Sequence, residues 1–159
     1  MTRIGVTGHM DLTEQTAELV TRALQERLGQ VGGELVGVSC LARGADSLFA
    51  DAVLRAGGAL EVVLPSRDYR RAKVKADHAE QFDRLLDAAS RVRVMDFEHA
   101  SGEAYVAANE TVLGSVHELV AVWDGVLPAK EGGTADVVTQ ARQRGLPVHI
   151  IWPQGATRG

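Results

Sequence analysis

Cysteine occurs once, at Cys40. A single thiol cannot build an internal disulfide framework, and it suits a reducing compartment. Aromatic residues make up only 4% of the chain, and the net charge is -4. A protein that grips nucleic acid through a basic face wants cations and stacking platforms, so a nucleic-acid partner is not expected. No uninterrupted apolar run is long enough to span a bilayer, so no membrane partner is expected either. Met1-Thr2-Arg3 leads straight into a strand pattern, with no signal peptide before it. The expected location is the cytoplasm. The histidines at 9, 78, 99, 117 and 149 share no metal-ligand spacing. The histidines therefore name no metal site and no cofactor is required, while the need for a divalent metal is left open. No Ser/His/Asp or Cys/His pattern is recognisable. Gly132-Gly133-Thr134 is not a Walker loop, because no Gly-Lys-Ser/Thr follows it.

What remains is an ordinary soluble composition. The chain has 159 residues, 45% hydrophobic and 24% charged, which suits one domain with a real core. The domain is expected over 1–152, with a loosely held tail from Pro153 to Gly159. Short apolar runs predict six strands: Ile4–Thr7, Leu35–Val38, Leu60–Leu64, Val92–Met95, Leu119–Trp123 and Val148–Ile151. Helical patterns lie between them. Asp11, with Glu14 three residues on, resembles a capping pair for the first helix. Ser101 reads as the N-cap of another helix, with a body reaching about Ser115. Arg67 to Lys75 reads as a basic loop. Strands that are continuous apolar runs and alternate with helices argue for a parallel sheet covered on both faces. Right-handed crossovers then give a doubly wound α/β, Rossmann-like fold, with preferred strand order 4-3-2-1-5-6.

In such a sheet the ligand sits beyond the carboxyl ends of the strands, where the winding reverses. Here that lies between strands one and five. It brings Thr7-Gly8-His9 beside Asp124-Gly125 and Gly132-Gly133-Thr134, with Arg43-Gly44-Ala45-Asp46 one strand away. Glycines let the backbone approach a ligand, and the first amides of a helix favour an anion. The same glycines also serve a bare strand-to-helix turn. The convergence of three glycine-bearing turns on one crevice favours a small-molecule pocket.

Four segments resemble the SLOG superfamily, a Rossmann-like group that includes the Lonely guy proteins and the DNA-processing protein A core. They are Gly5-Val6-Thr7-Gly8-His9, Ala42-Arg43-Gly44-Ala45-Asp46, Val122-Trp123-Asp124-Gly125, and Gly132-Gly133-Thr134-Ala135-Asp136-Val137-Val138. The resemblance implies a pocket for a nucleotide or a nucleotide-derived ligand, often in a homodimer. Lonely guy proteins cleave the N-glycosidic bond of nucleoside 5′-monophosphates with a Glu in P-G-G-x-G-T-x-x-E and an Arg on the preceding helix. This chain departs from that pattern at both places. Its Glu position falls on Val137, with Asp136 one residue early, and its Arg position falls on Ala108, beside Asn109.

The candidate ligand-binding set is Thr7, Gly8, His9, Arg43, Gly44, Asp46, Asn109, Asp124, Gly125, Gly132, Gly133 and Thr134. Gly8, Gly132 and Gly133 offer backbone contact to a phosphate, and Thr7 and Thr134 add hydroxyls. Arg43 is either a phosphate partner or a surface arginine. Asp46 suits a helix cap better than catalysis. Asp124 could hold ribose hydroxyls, bind a metal, act as a base, or simply make an Asp-Gly turn. His9 is a candidate ligand contact or acid. Asp124, Asp136 and Glu110 are the carboxylates available for catalysis. The Arg67–Lys75 segment is either a lid over an anionic ligand or a solvated charge run. The preferred function is binding of a nucleoside phosphate or ADP-ribose-like ligand. The alternative is a nucleotide hydrolase, acting on an N-glycosidic or phosphate bond, with rearranged residues. Single-stranded DNA binding ranks third. The apolar faces of Ala104 to Val116 suit pairing across a two-fold axis, so a homodimer is expected.

Overall fold

The computed structural model describes residues 1–127 and 133–159. Strands and helices alternate along it: β1 (Thr2–Gly8), α1 (Glu14–Gly29), β2 (Leu35–Ser39), α2 (Ala45–Arg55), β3 (Ala59–Leu64), α3 (Tyr69–Lys73), α4 (Ala76–Ala88), β4 (Arg91–Val94), α5 (Gly102–Gly114), β5 (Glu118–Val122), α6 (Thr134–Gln143) and β6 (Val148–Ile151). The six strands form one sheet in the order β4-β3-β2-β1-β5-β6. Every pairing is parallel. The preferred strand order and the α/β class both hold.

The side-chain alternation of the central strands explains why helices cover both faces. Ile4, Val6, Val120 and Val122 face α1 and α2, meeting Val20, Leu24, Phe49 and Val53. Leu60, Val62 and Leu64 extend that face beneath α4, against Phe82 and Leu85. On the opposite face, Val36, Val38 and Val63 meet Ala108, Val112 and Val116 of α5. Leu119 there meets Val137 and Ala141 of α6. Gly37 sets the approach of α2 to the sheet. A Cβ at this position would lie 2.4 Å from Val53 Cγ2 and 3.0 Å from Phe49 Cε2.

The local structure departs from expectation in three places. The N-cap of α1 is Thr13, whose Oγ1 accepts from the Thr16 amide at 3.1 Å. Asp11 instead pairs with Arg43 at 2.5 Å. The Arg67–Lys75 segment contains a short helix, α3, because Tyr69 is an apolar anchor that packs onto Phe82. The tail expected to be loosely held is tied back: the Thr157 amide donates to Thr16 Oγ1 at 2.7 Å, and the Gly159 amide donates to Asp11 O at 3.0 Å. Arg158 pairs antiparallel with Leu12 between them. Among the described residues, no helix is long and apolar enough to cross a membrane.

Gly37→Ala should destabilise the fold by about 1–3 kcal/mol, the usual range for overpacking a close contact. Urea denaturation should show a lower midpoint with an unchanged slope. A midpoint equal to that of the unmodified protein would mean that α2 does not need this close approach.

Candidate functional site

β1 and β5 run side by side to their ends, with Gly8 in register with Val122. The His9 amide continues the ladder to Val122 O at 3.1 Å. A Cβ at Gly8 would lie 2.4 Å from Ala45 Cβ and 2.8 Å from Val122 Cβ, so only glycine fits. α6 opens here, with Gly133 as its N-cap at φ 79° and no side-chain cap. A Cβ on Gly133 would meet open space. Two hollows meet at this junction and share Gly8, Met10, Gly133 and Thr134. The outer one, about 340 Å³, is walled by His9, Asp11, Trp123, Val126 and Arg158. The inner one, about 150 Å³, is walled by Thr7, Cys40, Asp46, Tyr69, Tyr105 and Asn109, with Val137 and Ala108 completing its apolar side.

The two hollows differ in chemistry. In the inner one, burial pushes the Asp46 carboxyl up to about 7, against a backbone hydrogen bond from Ala42. Burial likewise pushes the Cys40 thiol and the Tyr69 phenol up. These groups favour their neutral forms, so with Asn109 and Thr7 the chamber presents hydrogen-bonding groups more than charge. In the outer hollow Arg158 is the one cationic side chain among the described lining residues other than His9.

His9 is held against the end of β5. Its Nε2 accepts from the Asp124 amide at 3.2 Å and lies 3.4 Å from Asp124 Oδ1. Burial, and then Arg158, hold the imidazole below its ordinary value against the pull of Asp124. Trp152 meets the ring edge-on at 5.4 Å. His9 thus pins the end of β5 to the end of β1. Asp124 is largely engaged within its own turn. Its Oδ1 accepts from the Val126 amide at 2.9 Å, and its Oδ2 lies 3.7 Å from Arg158 Nη1. Burial works against the Asp124 carboxylate, yet the Val126 amide, His9 and Arg158 hold it below the ordinary aspartate range.

The crevice brings together Thr7, Gly8, His9, Asp46, Asn109, Gly133 and Thr134 of the sequence candidates. Asp124 and Gly125 flank the outer hollow, while their neighbours Trp123 and Val126 line it. Arg43 lines an adjoining cleft with Lys73, Lys75 and His78, which shares Met10 with both hollows, and it pairs there with Asp11 of the outer wall. Gly44 packs against the carbonyls of His9 and Met10, where an added Cβ would lie within 2.6 Å of either oxygen. Glu110 is exposed and lines neither hollow. Asp136, half-buried in the first turn of α6, is absent from both walls, because its neighbour Val137 faces inward instead. Gly132 lies outside the described residues. In the basic segment, Lys73 and Lys75 line the adjoining cleft. Arg67 pairs with Asp96 and Glu98, Arg70 pairs with Asp83, and Tyr69 lines the inner hollow. Among the described residues, no group of three or more His, Cys, Asp or Glu could hold a metal ion.

Met10, Tyr69, Tyr105 and Arg158 are wall residues that sequence reasoning missed. Tyr105 sits one turn before Ala108 and Asn109 on α5, so its helical spacing was the available signal. Arg158 had none, because the return of the tail is a tertiary event.

No protein-family model matches the chain, and no curated protein sequence does. Solved structures do. DNA processing protein A from Streptococcus pneumoniae superposes with a TM-score of 0.70 at 19% identity, over 98% of this chain and 52% of that one. The chain has the fold of DNA processing protein A. It spans about half the length of that Streptococcus protein. The Helicobacter pylori protein, described with a single-stranded DNA binding mode, gives a TM-score of 0.68 at 15% identity, over 99% of this chain and 68% of that one. The molybdenum cofactor carrier protein of Chlamydomonas reinhardtii gives 0.59 at 22%, over 97% and 78%. These likenesses agree with the resemblance carried by the four sequence segments, and at such identities they establish fold.

Asp46 predicts a pH signature. The unfolded chain releases this proton near the ordinary aspartate value of about 3.9, whereas the folded chain holds it to about 7. Between those values the folded state binds more protons, so this group makes stability fall as pH rises. Asp46→Asn should therefore raise the unfolding temperature at pH 8 and leave it little changed at pH 4. An equal shift at both pH values would show that Asp46 is not held protonated.

Proposed function

We propose that the protein binds a nucleotide or a nucleotide-derived ligand, a nucleoside phosphate or an ADP-ribose-like molecule, in the crevice between β1 and β5. One observation carries this reading: two chemically distinct hollows meet at Gly8 and Gly133. Exposed backbone at the start of α6 suits phosphate oxygens. The inner chamber, with Tyr69, Tyr105, Asp46 and Asn109, suits a flat heterocycle bearing donors and acceptors.

The reading is binding without hydrolysis. The resemblance to Lonely guy proteins places their catalytic Glu and Arg at Val137 and Ala108, and both of these positions face the inner hollow. Neither side chain can face developing positive charge with a carboxylate or hold a phosphate with a guanidinium. A hydrolytic second reading is favoured by Asp46 alone, the carboxyl that enters the inner hollow with a raised pKa. Single-stranded DNA binding remains the third reading; the fold shared with DNA processing protein A supports it, and the net charge of -4 counts against it. A cytoplasmic homodimer is part of the proposal, supported by Tyr105 and Val106, which α5 leaves exposed.

Thermal unfolding with AMP, GMP, CMP, ADP-ribose, NAD, NADP and ATP tests the proposal, with the mixtures analysed by chromatography. A ligand at about 100 times its dissociation constant adds about 2.7 kcal/mol, or several degrees at roughly 2–4 °C per kcal/mol. At least one of these should shift the transition and emerge intact. Gly133→Glu, which directs a carboxylate into the open space at the N-cap, should remove the shift. Released base or phosphate would make the protein a hydrolase, and no shift with any of them would overturn the nucleotide reading.

A further inference from the structure

The outer hollow contains a cation brought from the far end of the chain. After β6, Trp152 packs on His9, and the chain turns through the Ala156 amide to Pro153 O hydrogen bond. Thr157 is then held on the fully buried Thr16 hydroxyl, and Arg158 is held against Leu12. This strap carries Arg158 to the mouth of the crevice, beside Gly8, Gly133 and Thr134. We infer that Arg158 is the phosphate-binding side chain of this site, delivered by the C-terminal strap. The inference rests on the nucleotide reading above.

The charges around Arg158 leave it available. Its contact to Asp124 Oδ2 is 3.7 Å long, and its side chain is 57% exposed. Exposed pairs of this kind contribute little, so exchange for a phosphate is easy. Asp124 has a second partner in the Val126 amide. Asp11, the other acid at the mouth, is paired with Arg43. In the basic segment, Arg67 pairs with Asp96 and Glu98, and Arg70 pairs with Asp83. A guanidinium presents a planar fork of donors that matches two phosphate oxygens.

Calorimetric titration of AMP and adenosine into the full chain separates phosphate from base. Arg158→Ala should weaken AMP roughly ten- to hundredfold, the range for a lost charge-assisted hydrogen bond, and leave adenosine unchanged. Arg158→Lys should lose less than Arg158→Ala. Thr16→Val removes the acceptor that holds Thr157 and should weaken AMP in the same direction, again sparing adenosine. AMP affinity should fall with added salt in the unmodified protein and do so less in Arg158→Ala. If Arg158→Ala binds AMP as the unmodified protein does, the inference fails and the nucleotide reading stands. If the variant loses AMP and adenosine equally, Arg158 is structural and the inference fails. If the unmodified protein binds neither of these nor any other nucleotide tested above, the nucleotide reading fails and the inference falls with it.

Discussion

The contact between Gly8 and Ala45 is the point on which this molecule turns. A Cβ at Gly8 would come within 2.4 Å of the Ala45 methyl, and Gly44 sits equally close to the carbonyls of His9 and Met10. The Ala45 amide donates to His9 O at 3.1 Å, and His9 in turn accepts from the Asp124 amide. The carboxyl ends of β1 and β5 and the start of α2 are thereby locked around one spot. Parallel sheets leave a crevice wherever adjacent connections leave on opposite faces. Here α1 and α2 cover one face and α5 and α6 the other, so the crevice opens at this junction. Its floor is glycine backbone because no side chain fits there.

From that floor the site divides by dielectric. Outward, the start of α6 and Arg158 face water and favour an anion. Inward, burial keeps Asp46, Cys40 and Tyr69 toward their neutral forms. A dinucleotide or nucleoside phosphate has the same division, a charged part that tolerates water and a flat part that prefers to leave it. The same geometry explains the doubt over catalysis. The two positions that would have to carry charge, Val137 and Ala108, are apolar and form one side of the inner wall. Asp46 approaches that chamber from the opposite side of the sheet edge, from α2.

Much of the fold was legible along the chain. Continuous apolar strands alternating with helices point to a covered parallel sheet, and the switch point follows from handedness. The three glycine-bearing turns therefore met where the topology required. Local chemistry was less legible. Asp11 and Thr13 both offer a cap, and the choice went to Thr13 while Asp11 found Arg43. The basic segment read as a loop because its helix is only Tyr69–Lys73, stabilised by burial of one aromatic ring and not by propensity.

By itself, the sequence determined the class of fold, the strand order, the place of the crevice and the glycines that floor it. Each of these depends on periodicity or on local backbone geometry, which short stretches of chain encode. The tertiary structure alone decided that His9 pins the end of β5 to the end of β1, that Asp46 is held near a pKa of about 7, that Glu110 lines neither hollow, that Arg43 pairs with Asp11, and that Arg158 reaches the mouth. Those outcomes depend on which distant groups share a buried or exposed space. Burial and pairing are properties of that space, and no spacing along the chain records them.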